Sequence, residues 1–481
     1  MGFQLTTSKP DPPQEWRFTL LPVKLRVRLL APLLLLVVSI PSALHALERQ
    51  PSLTYHARRE HLAAALQGGV AILFANEEPL LDFMPFRQDS DFYYLTGWNE
   101  PGAALLIEAP AAATDLHPAR AYREILFLPT RNLHMELYTG PKLDAASPDA
   151  SSLTGVDEVQ PLTALPTVLG ELMRSDPYLA ANIWSEPDTE QARALASWTA
   201  TTLGVNTSPA IQDVRTLTGV LRTVKDPGEL ALLHKASDAS VKAQRAMIEA
   251  IHPGMTEGAA AGIIIENLMA NGCERVSYAP IVGSGPNSTI LHYSANSRTM
   301  RDGEVLLVDA AGEYSMYASD ITRTMPVDGH FTARQREVYN VVLGAQRAAI
   351  EGFVAGQSRI NDPYHRYPDS LDTIAWKYMN EHGKDLHGLG LGKYFIHGIG
   401  HSVGIDVHDP WDYSRPVEKG MVFTIEPGIY IPEEKLGVRI EDDFYVKDDG
   451  TLECLTCALP KTADAIEALM QKSSHPASAA K

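Results

Sequence analysis

The sequence predicts a chain of mixed α/β (α+β) class that is divided into two domains. Apolar runs of strand length alternate with helical segments in the first half of the chain. A strong helix start at residues 226–229 opens the second half, which then contains two similar strand-and-turn segments. Because the chain has 481 residues, of which 45% are hydrophobic, it is long enough to bury two or three cores.

The two ends of the chain are predicted to lie outside these domains. Basic residues within positions 24–28 precede an apolar run, 29–40, and small residues follow up to Ala46, which is typical of a secretory signal over residues 1–46. The run is shorter than the roughly 20 residues that span a bilayer. We therefore expect export to the periplasm or the medium, with no membrane span after processing. An uncleaved anchor, or a misassigned start that leaves the protein in the cytoplasm, is the alternative. The polar end, 466–481, is expected to be a disordered tail.

Residues 50–215 are predicted to form the first domain. Its apolar runs are short and bounded by turn residues, which is typical of buried strands. The predicted elements are strands at 69–75, 103–108 and 124–129, between helices at 56–66 and 191–203.

Residues 220–465 are predicted to form the second domain, which begins with a long helix. Asp226 can cap this helix, Pro227 suits its first position, and Glu229 completes a D-x-x-E capping box. The helix is expected to run to His252, because a Pro-Gly pair follows.

The charge and the cysteines exclude some classes of protein. The formal net charge is −18, whereas a nucleic-acid-binding protein shows a basic surface. Cys454 and Cys457 form a C-x-x-C pair without the second pair that a zinc site needs, and on a strand they would face opposite sides. We expect these cysteines and Cys273 to be structural or inert.

Two segments of the second domain are similar to each other. RDGEVLLVDAAGEY and EKGMVFTIEPGIY each lead from a charged residue and a glycine into an apolar strand that ends in an acid, Asp309 or Glu426. Each is followed by a further acid, Asp320 or Glu441. A carboxylate at the end of a buried strand costs several kcal/mol unless it is paired or bound to a metal. Four such acids in two matched segments therefore require shared positive charge.

The segment HGIGHSVGIDVHD, residues 397–409, contains three histidines: His397, His401 and His408. The first two are four residues apart, as in a helical zinc motif, but glycines crowd the same turns and each costs a helix about 1 kcal/mol. The segment therefore predicts a turn that leads into a strand. If these histidines bind a metal, the other ligands must come from elsewhere in the chain.

The four acids and His401 make a plausible set of five metal ligands. Four carboxylates balance the charge of two divalent ions, which can share carboxylates and lower the pKa of a bridging water. Oxygen-rich ligation with one imidazole favours Mn²⁺, with Co²⁺, Fe²⁺ or Zn²⁺ as possible substitutes.

The sequence resembles a known family. DAAGEYSMYASDITRT, HGIGHSVGIDVHD, TIEPGIY and VRIEDD match, in order, motifs of the pita-bread dinuclear metallopeptidases of peptidase family M24. Within this family the chain is most similar to Xaa-Pro aminopeptidases (aminopeptidase P) and prolidases. SDFYYLTGWNEPGAALLI resembles the N-terminal domain of aminopeptidase P. The resemblance, over about residues 50–465, implies a creatinase-like first domain and a pita-bread catalytic domain with an internal pseudo-twofold repeat.

The resemblance also implies how the metal ligands are shared. Asp309 would hold one ion, and Asp320 and Glu441 would bridge both ions. His401 and Glu426 would hold the other ion. Glu426 would also accept the proton of the attacking water, and the nucleophile would be a metal-bridging hydroxide.

Further residues are assigned roles by the same resemblance. His292 and His408 would contact the substrate or the oxyanion, and His397 would line the pocket. Arg439 lies two residues before Glu441, so it is expected to face the same side of a strand and to orient that carboxylate. Tyr430 would donate a hydrogen bond behind the ligands.

The expected function is therefore that of an Xaa-Pro aminopeptidase, which acts on peptides with proline at the second position. A prolidase, which cleaves Xaa-Pro dipeptides, is the main alternative, because the catalytic motifs are shared. A metal-free creatinase-like or binding protein is disfavoured, since all five ligands are present. The resemblance implies a homo-oligomer, either a dimer or a tetramer. Related enzymes often have a tryptophan at the position of Tyr93, where it helps to wall a substrate pocket at a subunit interface. Tyr93 either keeps this role or packs in the core.

Overall fold

The computed structural model describes residues 47–78, 85–115, 117–204 and 209–473. The predicted export segment, 1–46, and the end of the predicted tail, 474–481, lie outside the described residues. Among the described residues, no helix combines the length and the apolar character needed to span a membrane.

A mixed six-stranded sheet organises the first half of the chain. Its strands are β1 Val70–Phe74, β2 Ala104–Glu108, β3 Arg123–Leu128, β4 Glu158–Pro161, β5 Ile183–Ser185 and β6 Gln212–Asp213, in the order β4-β3-β2-β1-β5-β6. The pairs β1-β2 and β2-β3 are antiparallel, and the other three pairs are parallel. The helices are α1 Ser52–Ala65, α2 Ser90–Thr96, α3 Glu136–Thr139, α4 Ala150–Thr154, α5 Leu165–Ser175, α6 Glu190–Leu203 and α7 Arg215–Thr223. The three predicted strands and both predicted helices are confirmed.

The second half contains four small sheets wrapped by helices. The helices are α8 Pro227–Ala250, α9 Glu257–Ala270, α10 Ala333–Glu351, α11 Leu371–His382 and α12 Ala463–Ser473. The strands are β7 Arg275–Val276, β8 Ile281–Ser284, β9 Val305–Asp309, β10 Gly312–Tyr314, β11 Tyr317–Ala318, β12 Thr322–Pro326, β13 Val422–Ile425, β14 Gly428–Ile431, β15 Leu436–Arg439, β16 Asp442–Val446 and β17 Leu452–Cys454. They form the sheets β11-β10-β7, β12-β9-β8, β13-β16-β17 and β14-β15. Short 3₁₀ helices lie at Leu162–Ala164, Pro177–Ala181, Gly285–Thr289, Leu391–Tyr394 and Pro432–Glu434.

Helix α8 begins as the sequence predicts. The Asp226 side chain accepts hydrogen bonds from the backbone N–H groups of Gly228 and Glu229, and the Glu229 side chain accepts one from the N–H of Asp226. The helix ends at Ala250, two residues before the expected end at His252, because Ile251 is already in an extended conformation.

The internal repeat is visible in how two helices hold the strands. In α8, the Gln244 amide donates to the carbonyl oxygens of Ala310 and Ile321. In α10, the Gln346 amide donates to those of Ile425 and Ile440, with N–O distances of 3.1 and 3.4 Å. In both cases one side chain ties together two acid-bearing segments of the chain.

Helix α12 corrects the predicted tail. Residues 466–473 were expected to be disordered, but they belong to α12, which packs against α8, α10 and β12. Ile466, Leu469 and Met470 are buried at helical spacing, so this segment contributes to the core. The polar composition of the last residues hid this short amphipathic pattern.

The cysteines of the C-x-x-C pair form a disulfide, which the sequence did not predict. Cys454 ends β17, and the following turn brings Cys457 back to a Cα–Cα distance of 5.5 Å. The argument from opposite strand faces fails because the strand does not continue through both residues. Cys273 is a buried free thiol.

Candidate metal and active site

The four predicted acids lie at the ends of strands that meet in the second half of the chain. Asp309 is the last residue of β9, and Asp320 lies just before β12, where Thr322 pairs with Asp309. Glu426 directly follows β13, and Glu441 directly precedes β16. The four acids and His401 line one cavity of about 570 Å³. The sequence repeat therefore brings both acid pairs to one place.

His401 lies among these acids. Its Nε2 atom is 3.4 Å from Asp320 Oδ2 and 3.5 Å from Glu426 Oε1. Asp320, His401 and Glu441 can each offer one ligand atom within 4.8 Å of the others. The segment 397–409 is not helical, as predicted, and Ser402 forms a bridge with Phe423 of β13. The turn thus places one imidazole against the carboxylates.

The electrostatics of this cluster favour bound cations. Burial, together with the charges of Asp320 and Asp309, raises the pKa of Glu426 to about 7, and burial with the same neighbours raises the pKa of Glu441 well above its usual value. Although burial lowers the pKa of His401, its contacts with Asp320 and Glu426 raise it to about 9. Without metal, protons must compensate the buried carboxylates. Two divalent ions fit this oxygen-rich set of donors and would replace those protons.

Arg439 contacts the acids differently from the prediction. Its Nη2 atom donates to Asp309 Oδ2 at 2.5 Å, and Nη1 donates to the hydroxyl of Tyr430 at 2.7 Å. It reaches Glu441 only through Thr322, whose hydroxyl accepts from Arg439 Nε and donates to Glu441 Oε2. Arg439 thus acts on Glu441 through Thr322, because the guanidinium extends across to β9 instead of along its own strand.

The remaining predicted histidines line the same cavity. The ring of His408 lies 3.9 Å from that of His401, and burial with the nearby His401 lowers the pKa of His408. Burial and Arg439 lower the pKa of His397 to about 3, so this imidazole is neutral at pH 7. His292 completes the wall of the cavity.

The hydrogen bonds of His397 define its tautomer. Nδ1 lies 2.7 Å from the carbonyl oxygen of Gly398, which can only accept, so Nδ1 carries the proton. Nε2 therefore accepts from the Tyr430 hydroxyl at 2.8 Å, and that hydroxyl in turn accepts from Arg439. Tyr430 lies where the sequence placed it, behind the acids, and it connects the pocket wall to Asp309 through Arg439.

Tyr278 is a residue of the site that the sequence reasoning missed. Its hydroxyl contacts Asp309 Oδ1 and Asp320 Oδ1. A phenol has a single proton, so it cannot donate to two ionised carboxylates, and the second contact requires a proton or a cation at this point. Strand β8 could have revealed Tyr278 in the sequence. It begins shortly after Tyr278, and its Ile281 pairs with Asp309. Neither β8 nor this pairing was predicted.

Tyr93 does not belong to the cavity. It is 1% exposed, and its ring packs edge-on against Tyr55 at 6.5 Å. Of the two roles considered for Tyr93, packing in the core is the one that the structure supports.

Comparison with known proteins agrees with this architecture. Residues 231–448 match "Metallopeptidase family M24", and residues 55–180 match "Aminopeptidase P, N-terminal domain". The chain is 34% identical to the Xaa-Pro aminopeptidase of Escherichia coli, over 86% of this chain and 97% of that protein. It is 33% identical to the human Xaa-Pro aminopeptidase 3, over 81% of this chain and 78% of that protein.

Solved structures show the same fold. The low-pH form of aminopeptidase P from E. coli matches with a TM-score of 0.78 and 31% identity, over 89% of this chain and all of that one. Proline aminopeptidase P II from Yersinia pestis matches with a TM-score of 0.75 and 31% identity, over 88% of this chain and all of that one. The expected fold, an N-terminal aminopeptidase P domain followed by a pita-bread domain, is confirmed. We conclude that the chain belongs to metallopeptidase family M24, as a metallo-exopeptidase with the two-domain organisation of aminopeptidase P.

Proposed function

We propose that the protein is a metal-dependent aminopeptidase that hydrolyses the bond before proline at the N-terminus of peptides. The observation that carries the proposal is the convergence of four acids and one imidazole in a single cavity, with three more histidines on its wall. The curated relatives named Xaa-Pro aminopeptidase, which this chain matches over most of its length, support the choice of substrate.

The metal centre of this proposal consists of two divalent ions. Asp309, Asp320, His401, Glu426 and Glu441 would hold them, and the oxygen-rich set with one imidazole favours Mn²⁺. When bound, such ions supply Lewis acidity: they lower the pKa of water and polarise a carbonyl group.

The chain's own residues move the proton and stabilise charge. Glu426 accepts the proton of the attacking water on a carboxylate oxygen and returns it to the proline nitrogen as the bond breaks. His408, neutral at pH 7, donates a hydrogen bond to the developing oxyanion. His397 and His292 border the substrate, while Arg439 and Tyr430 hold Asp309 and His397 in place.

This machinery suits an Xaa-Pro bond. The bond is a tertiary amide without an N–H group, so a peptidase that aligns substrates as an added strand loses a backbone hydrogen bond there. A site made of side chains and metal ions does not depend on that bond.

Hydrolysis of two substrates tests the proposal. The protein from residue 47 onward, loaded with Mn²⁺, is given a tripeptide Xaa-Pro-Yaa and the dipeptide Xaa-Pro. We expect rapid release of Xaa from the tripeptide and little turnover of the dipeptide. The reverse result would make the protein a prolidase. Turnover of neither, with two ions bound, would contradict the specificity.

Export and self-association are two further parts of the proposal. The basic and apolar segment before Ala46 supports export, as does the Cys454–Cys457 disulfide, because disulfides persist in oxidising compartments. Fractionation of cells that express the full chain tests this, and protein found only in the cytoplasm would contradict it.

An exposed apolar surface for a dimer or tetramer is provided by Leu133, Leu137 and Tyr138. Light scattering would detect such an oligomer.

A further inference from the structure

A second cavity lies beside the catalytic one. Its volume is about 430 Å³, and the two cavities share Asn361, His397 and Gly398 as lining residues. Gly398 keeps this junction open, since a Cβ atom at that position would lie 2.6 Å from Asn361 Oδ1. A molecule bound at the acids can therefore extend into the second cavity.

The direction of the substrate follows from the arrangement of His397. Its Nδ1 atom lies 3.9 Å from Glu426 Oε2, and its ring centroid lies 5.3 Å from that of Phe395, which lines the second cavity. The cationic N-terminus of a peptide is attracted to the acids, so the remaining residues point away from them, past His397. Two residues of extended chain span about 7 Å. This exceeds the 5.3 Å between the rings of His397 and Phe395, so the third residue of the substrate can reach the second cavity.

A side-chain acceptor, the amide oxygen of Asn361, lies at the junction of the two cavities. Asn361 Nδ2 donates to the carbonyl oxygen of Gly400 at 2.7 Å, whereas the buried Oδ1 atom has no hydrogen-bond partner among the described residues. Because proline has no N–H, the first backbone donor after the scissile bond belongs to the third residue of the substrate. Asn361 Oδ1 is therefore suited to accept that N–H.

The walls of the second cavity favour one kind of side chain. Pro363, Phe395 and Ile396 are apolar, and the ring of His365 stacks on Trp376. Among the described lining residues, Asp372 has the only carboxyl group, its Oδ1 atom lies 3.3 Å from His365 Nδ1, and there is no lysine or arginine. A long side chain with a cationic end matches a cavity that combines apolar walls with one carboxyl group.

We propose that the second cavity is the subsite for the third residue of the substrate. Asn361 accepts the N–H of that residue, and the cavity receives its side chain with a preference for lysine or arginine. The inference rests on the proposed aminopeptidase activity and adds the residue that follows proline to its specificity.

Three tripeptides that differ in the third residue test the side-chain preference. Ala-Pro-Lys, Ala-Pro-norleucine and Ala-Pro-Glu, each amidated, are hydrolysed at pH 8, where Asp372 is ionised because its pKa, raised by burial and by Asp362, is about 7. We expect kcat/KM to fall in that order, with about a threefold difference between neighbours. Turnover of all three with equal kcat/KM would overturn the subsite alone, whereas no turnover of any would contradict the proposed function.

Substitutions that change the charge at the rim of the second cavity test whether the preference for the third residue arises there. Ile396 is 60% exposed, so its replacement leaves the core intact. Ile396→Lys should lower the ratio of kcat/KM for lysine over norleucine by about threefold, and Ile396→Glu should raise it. Leu386→Lys, at a position of 68% exposure that does not line the cavity, is the matched control and should leave the ratio unchanged. An equal response of the control would overturn the assignment.

A methylated substrate tests the role of Asn361. N-methylation of the third residue removes the N–H, and we expect KM of the unaltered enzyme to rise about fivefold, as for the loss of one hydrogen bond. In Asn361→Ala the methylated and unmethylated peptides should have the same KM, whatever the overall activity of the variant. The same penalty in both enzymes would contradict the proposed hydrogen bond.

Discussion

Tyr278 shows how single side chains hold the acid cluster together. Its hydroxyl contacts two carboxylates, Asp309 and Asp320, and Arg439 contacts Asp309 from another side. Partners of metal ligands fix the orientation of those ligands, and their loss commonly costs 10- to 100-fold in metal affinity or activity. These two residues therefore set the geometry of the cluster without changing its number of ligands.

Removal of the Tyr278 hydroxyl should weaken the metal centre. In Tyr278→Phe we expect metal affinity or kcat to fall by about 10- to 100-fold, because Asp309 and Asp320 lose a shared partner. Equilibrium dialysis against Mn²⁺ and steady-state kinetics measure the two effects. Tyr339→Phe is the control, since its buried ring likewise loses one hydrogen bond, to the carbonyl of Lys461, away from the site. Equal losses in both variants would contradict the role of Tyr278.

At the scale of elements, two helices position the acids through equivalent glutamines. Gln244 of α8 binds the carbonyls next to Asp309 and Asp320, and Gln346 of α10 binds those next to Glu426 and Glu441. The repeat therefore extends beyond the two strand segments that the sequence revealed. It includes one buried amide per half, which joins the two acid-bearing segments of that half.

Replacement of Gln346 tests this arrangement. Gln346→Met keeps the volume but leaves the carbonyls of Ile425 and Ile440 and the Asp442 carboxylate without this donor, so the free energy of unfolding should fall by about 1–3 kcal/mol. Urea denaturation measures the change. Arg347→Met, an exposed position on the same helix, should change stability by less than about 0.5 kcal/mol. A cost at Gln346 no larger than at Arg347 would show that the amide does not join the strands.

The disulfide stabilises the turn after β17. The Cys454→Ser, Cys457→Ser double variant should lose about 2 kcal/mol of unfolding free energy, as expected for a short closed loop. A reductant should destabilise the unaltered protein to the same extent and leave the double variant unchanged. If reductant has no effect on the unaltered protein, the two cysteines are not paired in solution.

At the scale of the whole molecule, the sequence predicted the features that depend on local patterns of residues. The strands around Leu73, the capping box at Asp226 and the acids at matched strand ends each depend on residues close in the chain. The contacts of Tyr278 and the reach of Arg439 to Asp309 join residues 31 and 130 positions apart, so they depend on strand order, which periodicity does not reveal. The second cavity could not be predicted either, because it depends on how loops pack against each other.

The stability of the whole molecule should depend on pH in a way that metal changes. Without metal, the pKa values of Glu426 and His401 are about 7 and 9, both above their unfolded values, so the folded chain binds extra protons. The unfolding free energy should therefore decrease by about 3 kcal/mol as pH rises from 6.5 to 9. Chemical denaturation of chelator-treated protein measures this slope. Metal-loaded protein is the control, and an identical slope would mean that no ion binds at these residues.

Metal titration with a peptide substrate tests the central claim most directly. Chelator-treated protein receives Mn²⁺ in steps while release of the first residue from Ala-Pro-Lys amide is followed. Because Asp309, Asp320, His401, Glu426 and Glu441 form one centre, we predict no hydrolysis at the start and a plateau at two ions per chain. Hydrolysis that is independent of added metal, or full binding of two ions without release of the first residue, would contradict the account.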